Sequence, residues 1–119
     1  MRISHTVSHV VQEGAQNTTV LTRGGIAVYD TVTENTAYWM QLADAVANQE
    51  LNLGGISTVK TLYIEADQNI TVRLALNTNY AIDIKSSFPF ALVMSVGVTA
   101  IYVTNASGAT ANLKVVLGG

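Results

Sequence analysis

The chain has 119 residues, the size of one domain able to bury its own core, and no cysteine, which excludes disulfides and thiolate metal sites. Six Lys and Arg stand against eight Asp and Glu for a net charge of −2, and no basic cluster occurs, so phosphate-driven binding to nucleic acid is not expected. Charged residues make up only 12% of the chain, where a soluble domain ordinarily carries about 25%. Thr, Asn, Ser and Ala take the places that Lys and Glu normally fill. A surface so neutral suits either a β protein with Thr-rich faces or one covered by other subunits.

The segment 2–12 alternates, with Ile3, His5, Val7, His9 and Val11 on one side and Arg2, Ser4, Thr6 and Ser8 on the other. It predicts a strand or an extended arm over residues 1–16, and with one Arg and no apolar run it carries no secretory signal. A turn-rich break at 13–17 leads to a short strand TTVLT, then Arg23-Gly24-Gly25, then a second strand GIAVYDTVT whose buried face the pattern leaves open. Near residues 38–47 a short helix competes, because Trp39, Leu42 and Val46 recur at helical spacing. The strand reading is preferred: TAYWMQLA extended, 44–48 a connection, and QELNLGG a second strand ending at Gly54-Gly55.

The second half is cleaner. Residues 58–67 predict a strand with Leu62 and Ile64 on one face, and NITVRLALN one with Ile70, Val72, Leu74 and Leu76 inward. After a turn at 77–79, YAIDIK presents Tyr80, Ile82 and Ile84; ATANLKVVL closes the chain with Ala111, Leu113, Val115 and Leu117 inward. Between them, Phe88 to Val103 carries no charge, yet it falls short of the roughly 18 to 20 apolar residues of a membrane span and contains Pro89, Ser95, Gly97 and Thr99. Its period-two alternation predicts two strands joined by a turn at 95–97, a hairpin apolar on both faces because both are covered. The whole predicts a soluble, single-domain, all-β protein: a jelly-roll-like antiparallel sandwich of about seven to nine strands.

The residues form no convincing active site. His5 and His9 would lie about 13 Å apart on a strand, too far for one metal. Glu65 and Asp67 share a strand face beside a turn, where charged residues commonly mark the strand end and only rarely hold calcium. The two histidines have no Cys or G-x-S-x-G partner, and the glycine pairs make no phosphate loop and read as turns or bulges. No cofactor is expected. Alternation turns one of Tyr38 and Trp39 outward; a core tryptophan and a partner or sugar anchor are both open. With Tyr102, these rings are the candidates for a carbohydrate-binding platform.

The segment LGGISTVKTLYIEADQNITVRLALN and the later IYVTNASGATANLKVVLGG resemble capsid decoration, or cement, proteins of tailed bacteriophages, with the likeness running over residues 51–119. The resemblance implies a structural, non-enzymatic virion protein at the capsid surface, often a trimer, that clamps neighbouring major capsid protein subunits against the pressure of internal DNA. A neck, tail or fibre piece built on the same sandwich is the alternative. The partner contacts expected on this view are Ile3, His5, Val7, His9, Tyr38, Trp39, Phe88 and Phe90, with no direct contact to nucleic acid or membrane.

Overall fold

A computed structural model describes residues 34–74 and 81–119 in full, and residues 2–13 and 18–31 as strands without their side chains. The expected turn at 77–79, with Leu76 and Tyr80, lies outside the described residues. The protein is all-β, and no helix occurs among the described residues. Strands β1 (Arg2–Glu13) and β2 (Thr18–Thr31) pair with each other as an antiparallel ribbon. Val7 faces Ile26 and His9 faces Arg23, so Gly24-Gly25 sits in a bulge within one long strand, not between two short ones.

Among the described residues, eight further strands form the sandwich. They are β3 (Asn35–Leu42), β4 (Gln49–Glu50), β5 (Val59–Ala66), β6 (Ile70–Arg73), β7 (Ile82–Ile84), β8 (Phe90–Val98), β9 (Tyr102–Thr104) and β10 (Ala111–Gly118). One sheet has the order β3-β10-β5-β8 and the other β4-β9-β6-β7, with every pairing antiparallel. Strands close in sequence mostly alternate between sheets, the jelly-roll arrangement of two Greek keys. The helix considered near 38–47 is instead β3 followed by a connection. Tyr38, Met40 and Leu42 fall on the core side at period two, and that burial outweighs the helical recurrence of Trp39, Leu42 and Val46.

Alternation sets the core. Ala111, Leu113, Val115 and Leu117 on β10 are fully buried, and they meet Leu62, Ile64 and Ala66 on β5 in register. Ile70, Val72, Ile84 and Val103 face them from the other sheet. Aliphatic side chains dominate this interior; Thr61 and Asn105 are its buried polar residues.

The neutral run is not a hairpin. Phe90 to Val98 is one continuous strand, and the chain then crosses to the other sheet as β9. Two residue steps on β5, from Val59 to Thr61, are matched by five on β8, from Val93 to Val98. The Ser95–Gly97 signal therefore marks a wide bulge instead of a turn. A Cβ on Gly97 would stand 2.5 Å from Thr58 Cγ2 and 2.6 Å from Val59 O, so only glycine lets the bulge close against β5. Nor are both faces covered: β8 is a sheet edge, and none of its residues is fully buried.

The loops at one end of the sandwich are tied together by side chains. Asn105, fully buried at the end of β9, donates from Nδ2 to the carbonyls of Leu42 (2.9 Å), Ala43 (3.3 Å) and Ala109 (2.8 Å) and accepts from the Ser107 N–H at Oδ1 (3.1 Å). Its own N–H donates to Val46 O. Asp67, just past β5, accepts from the Asn112 backbone N–H (2.8 Å) and from Asn112 Nδ2 (2.7 Å). Ser86 and Ser87 fasten the β7–β8 turn to Asp67 O and Ala66 O.

Removing the Asn105 carboxamide takes its donor from the buried Leu42 carbonyl and unties Ala43 O, Ala109 O and the Ser107 N–H, which lie nearer the solvent. Asn105→Ala is expected to lower unfolding free energy by about 3 kcal/mol, measured by urea titration. The side-chain hydrogen bond from Asn112, followed by its backbone N–H, holds the Asp67 carboxyl below the ordinary carboxylate range. A carboxyl depressed by folding contributes stability that is complete above its unfolded pKa and lost as pH falls through the folded value. Acidification below about pH 4 should therefore lower the urea midpoint, with a shallower fall in Asp67→Asn.

Candidate contact surface

The outer face of the β3-β10-β5-β8 sheet is set by the same parity that fills the core. On β3 the odd positions, Asn35, Ala37, Trp39 and Gln41, are all exposed. Trp39 is 72% exposed, and in register it faces Lys114 of β10, whose Nζ lies 5.6 Å from the indole centroid. Lys114 faces Glu65 of β5 on its other side, and Glu65 Oε2 accepts from the Tyr63 hydroxyl at 2.7 Å. That hydrogen bond, with burial adding to it, raises the Tyr63 phenol above its usual pKa.

Two more large apolar side chains stand out from this sheet's other edge. Phe88, 59% exposed, follows a turn closed by its N–H on Lys85 O (3.1 Å), with Ser87 at φ +65°; Lys85 Nζ lies 5.1 Å from its ring centroid. Val96, 82% exposed, rides on the β8 bulge. The Ser95–Gly97 signal around Val96 reads in sequence as a turn, because a bulge is a mismatch between two strands and is invisible in either one alone.

The expected contact residues divide accordingly. Trp39 and Phe88 point outward, which replaces the core-tryptophan reading for Trp39. Tyr38 points inward, packs against the core, and donates its hydroxyl to Asn52 O at 2.9 Å; burial raises its pKa. Phe90 also packs on the core, opposite Ile64. Both are half-buried on the core side, which follows from their even-numbered place on the inner side of β3 and β8. Ile3, His5, Val7 and His9 fall on β1, and their side chains lie outside the described residues.

Tyr38, Trp39 and Tyr102 do not share a face. Trp39 and Tyr38 are on opposite sides of one sheet, and Tyr102 belongs to the other, facing Arg73 and Glu50 in register. They form no stacking platform together. Glu65 and Asp67 are each engaged separately, by Tyr63 and Asn112, and no group of three His, Cys, Asp or Glu suited to a metal occurs among the described residues. A shallow concavity at the tied loop end, between Thr71, Asp83, Lys85 and Ser107, is open to solvent.

No protein-family model and no curated protein matches the sequence. Among solved structures the chain is similar to the cupin domain of Cnp3 from Schizosaccharomyces pombe, with a TM-score of 0.50 and 10% identity over 95% of this chain and 83% of that one. At that identity the likeness concerns the fold: a jelly-roll-like β-sandwich.

The exposed and inward aromatics should respond oppositely to truncation. Phe88→Ala, and Trp39→Ala measured at a dilution where the chain is monomeric, are each expected to change unfolding free energy by less than about 1 kcal/mol. Phe90→Ala is expected to cost about 2 kcal/mol or more, and urea titration of the three variants checks the contrast.

Proposed function

We propose that the protein is a structural, non-catalytic virion component: a capsid decoration protein that binds the outer capsid surface and bridges major capsid protein subunits, associating there with copies of itself. The observation that carries the reading is the placement of Trp39, Phe88 and Val96. Large apolar side chains stand in water around one sheet, while the interior is already filled by aliphatic residues. Such side chains serve best as anchors in a partner's surface.

Three further features support it. The sparse charge, 12% of residues, leaves little hydrated surface to resist close packing against a lattice. The β1–β2 ribbon is a two-stranded sheet of its own, and a ribbon of that kind is at best marginally stable unless a third strand or another surface covers it. The resemblance over residues 51–119 supplies the particular setting, a phage capsid. Clamping of this kind needs no reaction, since many modest contacts repeated over a shell add up to tight retention.

Gold labelling of the protein in its native particle, viewed by cryo-electron microscopy, should place label over the outer face of the capsid. Shells stripped of the protein should rebind it on co-sedimentation and then resist heating to a higher temperature. Label confined to a neck, tail or fibre would assign it to that part instead, and protein that stays in the supernatant with every shell preparation overturns the proposal.

A further inference from the structure

Four strands of the sandwich lie at sheet edges, and an exposed edge is a template for pairing unless something blocks it. In one sheet, β4 and β7 are only two and three residues long, too short to template a ladder. In the other, β8 is broken by the bulge that throws Val96 outward. The fourth edge, β3, has none of these defences. It has eight residues, NTAYWMQL, with no charge and no proline, and pairs with β10 from end to end without a register shift. Apart from that ladder, no backbone hydrogen bond of residues 35–41 is made among the described residues.

We infer that the β3 edge pairs antiparallel with β3 of a second copy about a two-fold axis at Trp39, joining two four-stranded sheets into one of eight. The occupant follows from the strand itself. A charged edge would repel its own copy across a two-fold; β3 carries nothing to repel, and a self-complementary patch is what an isologous contact requires. Opposed residues of an antiparallel pair must share a sheet face, so the axis passes through a residue and not between two. Centring it on Trp39 sets Ala37 against Gln41 and Tyr38 against Met40, and brings the two exposed indoles together as a cross-strand aromatic pair. Each indole keeps its Lys114 at 5.6 Å, with Glu65 beyond to balance that charge.

The inference extends the proposed self-association by naming its contact, and a two-fold contact gives pairs and not the threes that the resemblance implies. Light scattering of the full chain should report twice the 12.6 kDa mass. Because Trp39 is the only tryptophan, its emission should shift to the blue as concentration rises and return to the red on dilution. Trp39→Lys, which sets two cations face to face at a position already exposed in the monomer, should be monomeric with an unchanged circular dichroism spectrum, while Trp39→Phe should remain paired. In this cysteine-free chain, the double variant Ala37→Cys with Gln41→Cys should oxidise to a cross-linked dimer. A trimeric mass, an assembly that survives Trp39→Lys, or red emission at every concentration would overturn the contact. Shell binding by a chain that stays monomeric would discard this contact and leave the decoration reading standing.

Discussion

The carboxamide of Asn105 holds together what the two sheets alone do not. Loops leaving β3 and entering β10 meet over the end of the core, and their carbonyls at Leu42, Ala43 and Ala109 all turn toward one buried side chain. A buried carbonyl without a donor is costly, and an aliphatic side chain at this position would take the Asn105 donor from the buried Leu42 carbonyl, leaving Ala43 O to the Val46 N–H and Ala109 O to the Ser107 hydroxyl. Asparagine suits the place because it offers two N–H donors to those carbonyls while its oxygen accepts from Ser107 in a local turn. The clamp also fixes where β10 begins, and β10, flanked by β3 and β5, is the strand on which that whole sheet depends.

Most of the sandwich was legible because alternation reports burial directly. Leu62 and Ile64 of β5, Ile70 and Val72 of β6, and Ala111, Leu113, Val115 and Leu117 of β10, expected inward from period two, all fall in the core, while Val59 and Thr61 of β5 are buried against that parity. Legibility failed where structure depends on a partner strand. Ser95–Gly97 carries the composition of a turn, but the count of residues opposite it on β5 makes it a bulge. The same is true of Gly24-Gly25, where β1 decides that one strand continues. Asn105 showed only a turn sequence, Asn-Ala-Ser-Gly; its long-range acceptors, more than sixty residues earlier in the chain, left no local trace.

The contact surface was partly legible for a related reason. Parity required one of Tyr38 and Trp39 to face outward, but which one depends on the face that β10 turns to the core. Once β10 is placed, Trp39 has to stand outside beside Lys114, and Tyr38 has to reach the β4–β5 loop at Asn52. Phe88 and Phe90, alike in sequence, part company because one belongs to a turn and the other to a strand facing the interior. With few charges available, cation–aromatic contacts at Lys85 and Lys114 are the principal electrostatic features near these exposed rings.

The order of strands in space bears on how the chain matures during synthesis. The strand between β3 and β5 is the last of the ten to leave the ribosome. Until it emerges, the first sheet has a gap at its centre, and nascent chains keep their aliphatic sides open to one another. Native topology of this long-range kind forms slowly, so yield in the cell should depend more on chaperone capacity and growth temperature than on the stability of the finished sandwich.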